Sequence, residues 1–139
     1  MGNKIFIDTS PIIYLLDEKS PLRPKAEHFF SVALNRQSTL VTSTITCMEY
    51  LVFPYRTNNT AAINIFWKFL DDCGVKVHQI DALTAIKAAQ IRAEYPYFKT
   101  ADSLQLAAAC VTGCDLFLTN DKQLRQFEEL HCVMLEDYQ

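Results

Sequence analysis

Glycine is scarce. The three in 139 residues are Gly2, Gly74 and Gly113, so there is no glycine-rich loop to cradle a nucleotide phosphate. No window approaches the roughly 18 uninterrupted apolar residues of a membrane-spanning helix. Met1-Gly2-Asn3-Lys4 leads straight into an apolar, strand-like run. It has neither the longer apolar region nor the small-residue cleavage site of a secretory leader, so the cytoplasm is the expected compartment. There is no C-x-x-C pair. Cys47, Cys73, Cys110, Cys114 and Cys132 are odd in number, scattered and set in apolar neighbourhoods, and His28, His78 and His131 lie apart from them. This argues for small buried thiols in a reducing compartment and against a zinc site. No internal repeat, low-complexity tract or flexible linker interrupts the chain, so residues 1–139 read as one domain.

What is present is ordinary globular material: 50% apolar residues, 21% charged and a net charge of −3. A negative balance speaks against an extended phosphate-binding surface. That objection weakens if several of the acids surround one or two divalent cations, because the rest of the molecule is then close to neutral.

Five short, nearly continuous apolar runs have the character of strands buried on both faces: Lys4–Ile7, Thr39–Thr42, Val75–Ile80, Asp115–Leu118 and Cys132–Leu135. Helical patterns separate them at Ser10–Leu16, Arg23–Asn35, Thr46–Arg56, Thr60–Cys73, Leu83–Glu94, Ala101–Val111 and Asp121–Glu129. Strands alternating with helices imply right-handed crossovers, hence an α/β fold with a central parallel sheet and helices on both sides. Gly74 and Gly113 suit helix C-terminal caps. In such sheets function gathers outside the carboxyl ends of the strands.

Four acids are candidates for that edge. Asp8 follows the first strand, in Asp8-Thr9-Ser10-Pro11, where a helix N-cap is the plainer explanation. Asp121 ends the fourth strand in Thr119-Asn120-Asp121. A cap explains one such acid, but a second apolar strand ending the same way needs another reason. Asp102 opens an alanine-rich helix for which Thr100 is the N-cap candidate, although the helix dipole alone favours an acid there. Glu49 is the only acid of its largely apolar helix. Two bare carboxylates about 4 Å apart repel by roughly 4 kcal/mol at an effective dielectric near 20, so four together protonate or recruit cations. All-oxygen ligands select Mg²⁺ or Mn²⁺, which activates water and neutralises charge on a phosphodiester in flight.

In this order these residues resemble the PIN domain, and within it the single-domain VapC-type toxin ribonucleases of toxin–antitoxin modules. The resemblance spans nearly the whole chain. It rests on Asp8-Thr9-Ser10, on Ser43 six residues before Glu49, on Asp102 before Leu106-Ala107-Ala108, and on Thr119-Asn120-Asp121 before Leu124. It implies a three-layer α/β/α fold with about five parallel strands and Mg²⁺- or Mn²⁺-dependent endonucleolytic cleavage of RNA. It further implies a homodimer and inhibition by a cognate antitoxin protein. Asp8, Glu49, Asp102 and Asp121 match the catalytic, metal-binding quartet. Thr9 and Thr119 match hydroxyls that orient it, and Ser43 and Asn120 are further supporting positions. Glu94-Tyr95-Pro96-Tyr97-Phe98-Lys99-Thr100 departs from the small, glycine-containing loop common in relatives.

That segment offers Lys99 for RNA backbone contact, and Tyr95, Tyr97 and Phe98 either for stacking on unpaired bases or for packing on neighbouring helices. Tyr14, Leu15, Leu16, Tyr50, Phe53 and Tyr55 are candidates for a dimer or antitoxin surface, with core packing as the alternative. Other phosphate chemistries fit less well. A haloacid dehalogenase needs a second Asp at the place of Ser10, and a receiver domain needs an early acid pair and a terminal-strand Lys, neither of which is evident. A catalytically silent PIN-like module that binds RNA or protein is the remaining alternative.

Overall fold

The computed structural model describes residues 3–139. Its sheet holds β1 (Lys4–Ile7), β2 (Thr39–Ser43), β3 (Lys76–His78), β4 (Leu116–Thr119) and β5 (His131–Met134) in the order β3-β2-β1-β4-β5. Every neighbouring pair is parallel. Six helices accompany it: α1 (Thr9–Leu16), α2 (Arg23–Asn35), α3 (Thr44–Arg56), α4 (Thr60–Asp72), α5 (Ala82–Glu94) and α6 (Thr100–Val111).

The three central strands, β1, β2 and β4, are largely apolar because both faces are covered. Ile5, Ile7, Leu40 and Leu118 point into one core with Ile12 of α1, Phe29 and Phe30 of α2, and Phe66 and Leu70 of α4. Their sequence neighbours Phe6, Val41 and Phe117 point into a second core with Ala88 and Ile91 of α5 and Leu106 to Ala109 of α6. Phe6 and Phe117, adjacent across β1 and β4, stack with centroids 5.3 Å apart and are fully buried. Each such ring contributes roughly 1.5–3 kcal/mol of burial. The alanines of α6 let this helix lie against the sheet, which gives the α/β/α layering.

Turn chemistry sets the punctuation. Gly74 (φ 62°) and Gly113 (φ 73°) follow α4 and α6 in the left-handed conformation, as expected of C-terminal caps. Asp81 caps α5 by accepting from the backbone N–H and hydroxyl of Thr84.

Three expectations are corrected. The segment expected as a seventh α-helix over Asp121–Glu129 is a 3₁₀ turn, Lys122–Gln126. Its buried residues, Leu124 and Phe127, are three apart, and 3₁₀ geometry stacks such pairs on one side. Thr100 does not cap α6 but is its first residue. Lys99 holds the cap position without a side-chain bond, and the Thr100 hydroxyl accepts from Arg92 instead. β3 is shorter than the run Val75–Ile80, as suits an edge strand paired only with β2.

Chain order reverses between β1 and β4: the chain winds outward through β2 and β3, then returns to the other side of β1. The carboxyl ends of these two strands form the switch point of the sheet, where open α/β sheets bind ligands.

Candidate active site

Asp8 stands at that switch point. It is the N-cap of α1, its Oδ1 accepting from Thr9 N at 2.8 Å. Its backbone N–H donates to the Leu118 carbonyl, which ties the exit of β1 to β4. Asp8 is only 8% exposed, and the partners of its carboxylate account for both oxygens. Oδ1 also accepts from Gln105 Nε2 at 3.2 Å, and Oδ2 accepts from Thr119 Oγ1 at 2.7 Å. Burial raises its pKa, the bonds from Thr119, Thr9 and Gln105 oppose that rise, and the charge of Glu49 adds to it.

Glu49 reaches the same place from α3. Thr9 Oγ1 donates to its Oε1 at 2.6 Å, so the residue after Asp8 orients the next acid. Asp121 caps the 3₁₀ turn by accepting from Gln123 N, and its own N–H donates to Thr119 Oγ1. Thr119 therefore braces two acids at once, Asp8 through its proton and Asp121 through its oxygen.

Asp102 lies in the first turn of α6, half-buried, with no hydrogen-bond partner among the described residues. Its carboxyl is pushed up to about 6, first by burial, then by the negative charges of Asp8, Asp121 and Glu49; Lys99 opposes weakly. Asp102 therefore feels the charge of each of the other three acids. Asp8 and Asp121 do serve as caps, so the local explanation holds for both whatever else they do.

The remaining predicted residues divide. Thr9 and Thr119 touch the acids. Ser43 caps α3 and reaches Asp8 only through Gln105, to which its hydroxyl donates. Asn120 turns away, its Oδ1 accepting from the Glu136 backbone N–H. Lys99 is exposed and close enough to Asp102 to be felt electrostatically. Phe98 is buried in the second core and stacks on Tyr95, which packs edge-on against Phe127, so these two rings serve packing. Tyr97 is exposed and donates to Gln126. Tyr14, Leu15, Leu16 and Tyr50 pack against the first core, while Phe53 and Tyr55 are exposed.

Two residues at the centre were not foreseen. Gln105 and Thr46 are both buried and joined by a 2.7 Å bond from Gln105 Nε2 to Thr46 Oγ1. The sequence carried one clue, a long polar amide inside the apolar run Leu104-Gln105-Leu106-Ala107-Ala108-Ala109.

The donor set suits a hard divalent cation. It is all oxygen and it concentrates negative charge, and among the described residues Lys99 is the compensating cation felt by Asp102, which has no hydrogen-bond partner there. Among the described residues no three His, Cys, Asp or Glu side chains form a ready-made cage. Such a cage is not needed by Mg²⁺, which keeps several waters and takes one or two direct carboxylates. The five cysteines are unpaired, and burial raises the pKa of each thiol, as for inert packing residues. No helix of the described residues is long and apolar enough to cross a membrane.

Solved structures share this architecture. A toxin–antitoxin complex from Klebsiella pneumoniae contains a chain 20% identical, with a TM-score of 0.74 over 95% of this chain and 98% of that one. VapBC2 from Rickettsia felis, bound to a promoter DNA fragment, gives 0.75 at 16% identity over 94% and 97%. VapC20 of Mycobacterium tuberculosis, described as a sarcin-ricin loop cleaving toxin, gives 0.70 at 17% over 92% and 99%. No curated protein matches. The PIN domain profile matches residues 5–130, almost the full length, and the chain belongs to the PIN domain family.

Proposed function

We propose that this protein is a divalent-metal-dependent endoribonuclease and the toxin of a toxin–antitoxin pair. The observation that carries the reading is the hydrogen bonding of Thr9 to Glu49 and of Thr119 to Asp8 and the Asp121 backbone at the switch point of the sheet, with Asp102 close enough to feel the charge of these three acids. Family membership supports nuclease chemistry. The toxin–antitoxin complexes among the structural neighbours, and a neighbour described as a sarcin-ricin loop cleaving toxin, support the biological setting.

In this reading Asp8, Glu49, Asp102 and Asp121 hold Mg²⁺ or Mn²⁺. When bound, the ion supplies positive charge for a phosphodiester in flight and lowers the pKa of water. The protein's own contribution is orientation. Thr119 and the α1 N-terminus hold Asp8 still, Thr9 aims Glu49, and the open side of Asp102 leaves a carboxylate facing the substrate. Lys99 stands beside it as the group that meets an RNA phosphate.

Digestion of total RNA by purified protein tests the reading. Cleavage is expected with Mg²⁺ or Mn²⁺ and not with chelator, and the products carry 5′-phosphate and 3′-hydroxyl ends. Activity that survives chelation, or 2′,3′-cyclic phosphate ends, rules the mechanism out. Lys99→Ala should weaken RNA binding at low salt while leaving the melting temperature unchanged. An unaltered affinity takes Lys99 out of the groove.

The assembly follows the same reading. A homodimer and an antitoxin segment are the occupants proposed for the exposed apolar side chains Phe53 and Tyr55, and the cytoplasm is the compartment. Light scattering at micromolar concentration should give the mass of two chains, and a monomer counts against the dimer.

A further inference from the structure

We propose that Gln105 is a positioning residue whose one buried amide orients two carboxylates of the site, Asp8 directly and Glu49 through Thr46 and Thr9. The proposal rests on the metal-nuclease reading given above. Gln105 is 1% exposed and sits on α6 among Leu106, Ala107, Ala108 and Ala109, all fully buried. An apolar residue there would pack without the cost of burying an amide. Yet its three partners all lie on the carboxyl edge of the sheet. Nε2 donates to Asp8 Oδ1 at 3.2 Å and to Thr46 Oγ1 at 2.7 Å, and the amide oxygen accepts from the Ser43 hydroxyl.

The direction of every bond follows from the acids. A carboxylate only accepts and a hydroxyl has one proton to give. Thr9 gives its proton to Glu49 at 2.6 Å, so across the 3.2 Å Thr9–Thr46 contact Thr46 is the donor. With its proton spent, Thr46 receives from Gln105, which fixes the amide's nitrogen toward the acids and its oxygen toward Ser43. The other Nε2 proton goes to Asp8. A reversed amide would turn an oxygen on Asp8 and break the chain at both ends. The result is a one-way relay of donors, Ser43 to Gln105, then a fork to Asp8 and, by Thr46 and Thr9, to Glu49. It links Asp8 at the exit of β1, Ser43 at the end of β2, Thr9 of α1, Thr46 and Glu49 of α3, and Gln105 of α6.

The test measures Mn²⁺ binding by the electron paramagnetic resonance of free Mn²⁺, on variants shown to be folded by circular dichroism. Gln105→Met keeps length without the amide, Thr46→Val keeps shape without the hydroxyl, and Thr46→Ser keeps the hydroxyl. Gln105→Met and Thr46→Val should each raise the Mn²⁺ Kd roughly ten- to hundred-fold, the usual effect of removing a group that orients metal ligands. Thr46→Ser should stay near wild type. The double variant should lose less than the two single losses combined, because both cut the same path to Glu49. Cleavage by each should show kcat reduced with KM little changed. Folded variants that melt lower but bind Mn²⁺ like the wild type overturn the proposal and make Gln105 a packing residue. If Gln105→Met does not fold, the Thr46→Val and Thr46→Ser pair decides by the same criterion. A wild type that takes up no Mn²⁺ overturns the metal-nuclease reading and this proposal together, whereas variants matching a binding wild type overturn this proposal alone.

Discussion

Asp102→Asn should abolish RNA cleavage and, without metal, leave the protein as stable as the wild type or more so. The loss of activity follows if the ion supplies several kcal/mol to the reaction, since about 4 kcal/mol corresponds to roughly a thousandfold in rate. The stability effect follows from the crowding of charge. With its carboxyl pushed up to about 6, Asp102 stays protonated in the folded chain at pH values where the unfolded chain has already ionised. It therefore favours folding fully below pH 4, and that contribution disappears as pH rises through about 6. The full displacement amounts to about 3 kcal/mol, and solvent on the open side of this half-buried group reduces it to roughly 1–2 kcal/mol. Asparagine carries no such dependence. Denaturation of both proteins in chelator at pH 4 and pH 7.5 should show the variant gaining on the wild type as pH rises. A variant that instead loses ground as pH rises would mean that Asp102 is only a helix-dipole acid, for which Asn costs a few tenths to about 1 kcal/mol once the carboxylate is ionised.

Thr119→Val carries the second large effect. Thr119 is fully buried, gives its proton to Asp8 and accepts the Asp121 N–H. Valine leaves one buried carboxylate oxygen and one N–H without partners, and each such group costs about 1–3 kcal/mol. The melting temperature should fall by roughly 5–10 °C. The sign of the pH dependence distinguishes this from a packing defect. Burial already raises the Asp8 pKa and the Thr119 bond is the strongest influence against it. Without that bond the pKa rises further, so protonated Asp8 tolerates the loss and ionised Asp8 does not. The variant's deficit should be small in acid and widen as pH rises, and Thr119→Ser should recover most of it. A deficit that ignores pH, or one that Ser does not repair, contradicts the role given to this hydroxyl.

Much of this was legible in the chain before any coordinates. The central strands were readable because burial on both faces leaves few polar residues in them, and Ile5, Phe6 and Ile7 look alike in sequence while facing alternate cores. The acids at Asp8 and Asp121 stood out because polar residues end two apolar strands at one edge. Less was readable where a residue's meaning depends on its partner. Asn120 and Thr119 are neighbours in sequence, yet one turns to the Glu136 backbone and the other to Asp8. Gln105 is one helical turn beyond Asp102, and only the packing of α6 against β2 and α3 reveals what it binds. The Lys122–Gln126 turn was misread because polar residues with Leu124 and Phe127 three apart also suit an α-helix.

The claim that the four carboxylates form a single cation site is tested most directly by thermal melts of the wild type and Asp102→Asn, each with Mg²⁺ and with chelator. A ligand bound only by the folded state stabilises it by about 2.7 kcal/mol at a hundredfold excess over its Kd. Mg²⁺ should therefore raise the wild-type melting temperature by several degrees and that of Asp102→Asn by little. A variant destabilised in chelator, with a Mg²⁺ response equal to that of the wild type, would contradict it.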